Sequence, residues 1–145
     1  MATVNIYLTF NGNCEEAFNF YKSVFGGDFT YVGRFNEMPP QEGQPPMSEE
    51  DGNKIMHITL PISAETCIMG SDTGGEWASN FQVGNNFSIS VSADSKADAD
   101  RFFNSLSEGG QVSMSMADTF WGSYFGMLVD QFGIAWMVGY DAPQE

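Results

Sequence analysis

Apolar and polar residues alternate through residues 4–10. Val4, Ile6, Leu8 and Phe10 fall on one side, with Asn5, Tyr7 and Thr9 on the other, the period-2 pattern of a strand. Asn11-Gly12-Asn13 breaks it, and Asn13 is placed to cap a helix whose first turn holds Glu15 and Glu16. The spacing then becomes helical: Ala17, Tyr21, Val24 and Phe25, with Phe18 alongside, trace one stripe until Gly26-Gly27 stops it. Residues 28–35 read as a second strand. Residues 36–53, with four prolines and five acids, read as a long surface loop, because proline removes backbone donors and fixes φ. Ile55–Pro61 and residues 66–71 then predict a hairpin.

The pattern repeats. Residues 86–91 (NFSISV) answer residues 5–10 (NIYLTF), and FFNSL at 102–106 lines up with FYKSV at 20–24. Ser95 is a candidate cap for a helix over Lys96–Ser107 that turns Ala99, Phe102, Phe103 and Leu106 inward. Residues 111–117 give a strand. Residues 124–129 and 134–138 flank Asp130-Gln131-Phe132-Gly133 as a closing hairpin. The order is β-α-β-β-β twice, which predicts an α+β fold of two tandem modules, each helix lying on a sheet. Residues 1–74 form module one, 75–84 a polar linker and 85–145 module two, all within a single domain.

Composition narrows the partners. Five Lys and Arg against nineteen Asp and Glu give a net charge of −14. Such a surface repels nucleic-acid phosphates and anionic lipid and attracts cations. The N-terminal MATVNIYLTF has no secretory pattern and no run is long enough to span a bilayer, so the expectation is a soluble, cytoplasmic, reduced protein. Cys14 and Cys67 make no CxxC pair, and one histidine rules against structural zinc.

That histidine, His57, shares a strand face with Thr59, opposite Met56, Ile58 and Leu60; if the second set packs under the helix, His57 faces a pocket, where it can act as a general base. The blander reading is a hydrogen-bonded, half-buried side chain. Asp118 is either a pocket carboxylate or a turn-capping acid, and Asp130 is turn chemistry. Trp121, Tyr124, Phe125 and Trp136 offer an aromatic wall for a planar or cationic ligand, although strand alternation sends about half of them into the core. Met114, Met116, Met127 and Met137 fill core gaps or line an adaptable pocket.

Several short runs carry a family resemblance: Tyr7-Leu8-Thr9-Phe10-Asn11-Gly12-Asn13, Glu16-Ala17, Phe20-Tyr21, Phe25-Gly26-Gly27, Met56-His57, Met69-Gly70-Ser71-Asp72, Leu106-Ser107-Glu108-Gly109-Gly110, Asp118-Thr119-Phe120-Trp121-Gly122 and Asp130 through Trp136. In this order, and nearly spanning the chain, they resemble the vicinal oxygen chelate superfamily, the glyoxalase/bleomycin-resistance/dioxygenase group, in its PhnB-like branch. The resemblance implies half-open barrel sheets with helices outside, a homodimer and a concave pocket. It also implies metal-ligand positions on the first and last strands of each module: Ile6 (or Tyr7), Met69, Phe87 (or Asn86) and Met137. These are mostly apolar, and thioethers are poor ligands for Mg, Mn, Fe or Zn, so no metal and no cofactor are expected. A methyltransferase name attached to some members of the branch is discounted, because no glycine-rich nucleotide loop follows the first strand.

Three functions stay open. One is binding of a small molecule, cationic or planar, in a metal-free aromatic pocket of Tyr7, His57, Met69, Phe87, Trp121, Phe125, Trp136 and Met137 at a homodimer. Another is a metal-independent lyase or isomerase, or one with metal at a non-inherited site, using His57 and Asp118. In the third, Phe87, Met69 and Met137 fill the pocket and the role lies in protein contacts.

Overall fold

The computed structural model describes residues 2–37, 39, 43, 47–74 and 80–142. The chain forms two compact units, residues 1–82 and 83–145. The first contains β1 (Ile6–Phe10), α1 (Cys14–Phe25), β2 (Tyr31–Arg34), α2 (Glu49–Gly52), β3 (Ile55–Pro61) and β4 (Cys67–Asp72). Its four strands lie in the order β1-β4-β3-β2, with β1 parallel to β4 and the other pairs antiparallel. The second contains β5 (Ile89–Ser92), α3 (Lys96–Ser107), β6 (Gln111–Asp118), β7 (Ser123–Val129) and β8 (Ala135–Asp141). Its sheet repeats the arrangement as β5-β8-β7-β6. The fold is α+β, with two four-stranded sheets, neither of them closed.

In unit 1, α1 buries Cys14, Ala17, Phe18, Tyr21 and Val24 against Leu8, Phe10, Ile55, Ile58, Leu60 and Ile68. Phe18 meets Phe10 and Tyr21 edge-on at centroid distances of 6.1 and 5.7 Å. The helix comes this close because Gly70 has no side chain: a Cβ there would stand 2.6 Å from Phe18 Cε1 and 2.8 Å from the Leu8 carbonyl oxygen. In unit 2, Phe103 of α3 is seated in the same manner on Gly126, whose Cβ would come within 2.8 Å of the Phe103 ring. Ala99, Phe103 and Leu106 are buried, and Ser95 caps α3 by accepting from the Asp98 N–H at 3.0 Å.

The start of α1 departs from expectation. Asn13 makes no side-chain cap bond. Asp72, buried at the end of β4, takes that role: its Oδ1 accepts from the N–H groups of Gly12 (3.0 Å) and Cys14 (2.9 Å), and its Oδ2 from that of Ile55 (2.9 Å). A carboxylate at a helix start also meets the positive end of the helix dipole. Burial, reinforced by the charges of Asp72 and Glu15, pushes the Cys14 thiol up, which leaves it unreactive near neutral pH. Both cysteines are free.

Four other expectations are corrected. The strands of residues 4–10 and 28–35 shorten to Ile6–Phe10 and Tyr31–Arg34. The register slips between Gly33 and Arg34, so Ile55, not Met56, takes the core position before Ile58 and Leu60. The segment 36–53 is not loop throughout: Phe35–Glu37 forms a 3-10 turn and α2 is capped by Ser48, which accepts from the Asp51 N–H at 3.1 Å. Residues 38, 40–42 and 44–46 of that segment, and residues 75–79 of the expected linker, lie outside the described residues. Finally, β5 begins at Ile89, so Asn86 and Phe87 precede the strand.

Two measurements follow from these contacts. Asp72→Ala deprives three N–H groups of their acceptor and should cost about 3 kcal/mol or more in urea denaturation, whereas a loss below about 1 kcal/mol would mean that water replaces the carboxylate. The Tyr124 hydroxyl donates to Asp100 of α3 at 2.6 Å, and this bond, helped by desolvation and by the Asp100 and Asp118 charges, raises the phenol pKa. Whatever stability it contributes is complete below the ordinary phenol range near 10 and fades as pH rises through the raised value. In an alkaline absorbance titration, Asp100→Asn should move one tyrosine transition to lower pH.

Candidate functional site

Among the described residues, each sheet has one face covered by its helix and one face without a helix. Alternation assigns the side chains: in unit 1 the rows pairing Leu8, Gly70, Ile58 and Val32 lie on the α1 side. The next row, Tyr7 against Met69, Thr59 and Tyr31, lies on the other. His57 joins that second face opposite Gly33. Its ring stands between two phenols, 5.6 Å from Tyr7 and 5.7 Å from Tyr31 by centroid, and its Nε2 is 3.0 Å from Thr59 Oγ1. Tyr7 and Tyr31 are 48% and 49% exposed, so the cluster is open to a ligand.

Tyr31 was missed from sequence. The signal that could have found it is Gly33, a strand glycine two residues away on the same face. A Cβ at Gly33 would lie 2.8 Å from the Tyr31 hydroxyl and 2.9 Å from its Cε1, so the absence of a side chain lets the ring lie back over the strand toward His57.

The matching row in unit 2 is Met114, Met127, Met137 and Ser90, one from each strand. Phe125 shares this face, opposite Gly139, and Trp121 of the β6–β7 turn stands 6.3 Å from it. That turn is closed by Thr119, whose hydroxyl donates to the Ser123 carbonyl and accepts from the Ser123 N–H, with Gly122 at φ +98°.

Three residues of the sequence-based site sit elsewhere. Trp136 is 1% exposed in the core of unit 2, and its indole Nε1 donates to Asp130 Oδ2 at 2.8 Å. Asp130 itself does turn chemistry, its Oδ1 accepting from the N–H groups of Phe132 and Ile134. Asp118 pairs in register with Tyr124 on the α3 side, and its carboxylate binds Lys96 of that helix at 3.1 Å. Phe87, 61% exposed, lies ahead of β5; the residue across from Met137, as Tyr7 is across from Met69, is Ser90. His57 and Asp118 therefore belong to different units and to different kinds of face.

Of the positions where the resemblance places metal ligands, Tyr7 and Met69 bring a phenol and a thioether in unit 1, and Met137 brings a thioether in unit 2, where the register sets Ser90 rather than Phe87 across from it. This set does not fit a hard or borderline divalent ion. Among the described residues no helix is long and apolar enough to cross a membrane.

The tandem β-α-β-β-β arrangement is the fold of solved glyoxalase/bleomycin resistance/dioxygenase proteins. The chain belongs to the 3-demethylubiquinone-9 3-methyltransferase family, whose model it matches over residues 2–139. It is 37% identical to protein PA1353 from Pseudomonas aeruginosa, with a TM-score of 0.79 over 97% of this chain and 98% of that one. It is 28% identical over 137 residues to Protein YjdN of Escherichia coli K12, covering 91% of this chain and 90% of YjdN. A PhnB protein from Bacillus cereus shares the fold at 23% identity and a TM-score of 0.73, covering 96% and 99% of the two chains.

The Gly33 contact is testable. Gly33→Ala should swing the Tyr31 ring away from His57, abolishing their ring-to-ring NOE, at a stability cost of about 1–3 kcal/mol. An NOE of unchanged strength would show that Gly33 does not place the ring.

Proposed function

We propose that the protein binds a small organic molecule on the helix-free sheet faces, with Tyr7, Tyr31, His57, Thr59 and Met69 forming the recognition surface of unit 1. The observation that carries this reading is the placement of the single imidazole between two half-exposed phenols, with one ring nitrogen held by Thr59. Aromatic surface with a few fixed polar groups is the usual make-up of a ligand site. The helix-free face of unit 2, taken by itself, offers an adaptable apolar surface of Phe125, Met127 and Met137 with Trp121 beside it. The proposal includes a homodimer, which would cover large side chains left in water, among them Phe120 and Trp121.

A metal-independent lyase or isomerase is the second reading, and the His57–Thr59 contact favours it, since it holds the ring in place and leaves Nδ1 for a proton. Asp118, held by Lys96, does not take part in it. No methyl transfer is proposed: the turn after β1 reads Asn11-Gly12-Asn13 and carries no glycine-rich loop for a nucleotide methyl donor.

A thermal-shift screen against small oxo-acids, glycopeptide drugs and divalent metals tests the proposal. A true ligand raises stability by RT ln(1 + [L]/Kd), about 2.7 kcal/mol at a hundredfold excess over Kd. The gain should disappear in Tyr7→Ala and His57→Ala. A melt that responds to divalent metals alone would overturn the metal-free reading, and light scattering giving a monomer would remove the dimer.

A further inference from the structure

Resting on the reading that the unit-1 face is a ligand site, we propose that the ligand is a planar ring carrying an anionic oxygen group, a carboxylate or a phosphate, and that His57 receives this group. The argument starts from the distribution of charge. The chain has nineteen acids against five bases. Yet the strand positions on this face, from Tyr7 and Thr9 through Ser71, Met69, His57 and Thr59 to Tyr31, include no Asp or Glu. The one carboxylate within the sheet, Asp72, is buried on the opposite side and fully engaged by backbone N–H groups.

A cationic ligand would find aromatic faces there but no counter-charge among the strand residues of that face. An anionic one finds hydroxyl donors on both flanks and an imidazole N–H. Nδ1 is the ring nitrogen not engaged by Thr59, and it donates in the tautomer in which Nε2 accepts from the Thr59 hydroxyl; a hydrogen bond to a charged acceptor is about twice as strong as a neutral one. The phenols of Tyr7 and Tyr31 supply π-faces for the ligand ring on either side of that donor. The protein's net negative charge opposes any anion, but charges farther away than about 8 Å are largely screened at physiological salt. It therefore lowers absolute affinity without supplying a site that prefers cations.

Four probes of one shape separate the possibilities: benzoate, phenyl phosphate, benzyl alcohol and benzylammonium. Each is titrated into the full-length protein at about 0.15 M salt and followed by amide NMR shifts. At least one of the two anions should bind about tenfold tighter than benzyl alcohol, with benzylammonium weakest and shifts centred on Tyr7, Tyr31 and His57. Which anion leads distinguishes carboxylate from phosphate. His57→Gln should bring the anion down to the level of benzyl alcohol, and an anion that kept its tenfold lead in that variant would remove His57 as the receiving group. Benzylammonium binding as tightly as the anions, or anion shifts confined to residues around the few lysines and arginines, would overturn the anionic class while the ligand site itself stands. If none of the four perturbs this face, the site reading falls as well.

Discussion

A single buried carboxylate, that of Asp72, holds the first unit in register. It closes the β1–α1 turn through Gly12, begins α1 through Cys14 and begins β3 through Ile55, so the last strand of the module fixes the positions of three segments distant in sequence. Desolvating a carboxylate is costly unless its lone pairs are satisfied, and here backbone donors on both oxygens satisfy them. With α1 fixed over Gly70 and the core rows, the opposite rows of the sheet are left without a helix. The helix-free face is thus a consequence of the packing on the other side.

Unit 2 meets the same demand differently. Its buried carboxylate, Asp130, sits in the β7–β8 turn and joins two backbone N–H groups to the indole of Trp136. The helix cap is supplied locally by Ser95. One carboxylate therefore reaches across the module, while the other ties together residues of its own hairpin. Yet both modules reach the same strand order, because right-handed β-α-β crossovers and short hairpins leave few alternatives.

The elements with strong periodicity were legible in the chain. Lys96–Ser107 and its Ser95 cap, the hairpin at Asp130 and the β-α-β-β-β repeat all follow from local chemistry. What was illegible depends on long-range partners. Asn13 satisfies every local rule for a cap, and only the arrival of Asp72 from β4 displaces it. The slip at Gly33/Arg34 moves Ile55 into the core in place of Met56, which period-2 counting cannot anticipate. Trp136 reads as either wall or core; its pairing opposite Leu128, and the Asp130 bond, decide for core. Of the candidate site, the strand faces of Tyr7 and His57 follow from alternation, and Met69 came from the resemblance; the register brings the three to one face of the sheet. Tyr31 was not legible, since its ring is placed by a glycine.

The two helix-free faces show how far the repeat has diverged. Corresponding rows read Tyr7, Met69, Thr59, Tyr31 in one unit and Ser90, Met137, Met127, Met114 in the other. Of these four positions only Met69 and Met137 keep the same residue, and it is one that a hard metal ion would reject. The central helix-side row, by contrast, stays apolar or glycine in both, with Leu8, Gly70 and Ile58 in unit 1 and Val91, Val138 and Gly126 in unit 2, as packing requires. Positions freed from packing have therefore become hydroxyl-rich and imidazole-bearing in one module and thioether-rich in the other.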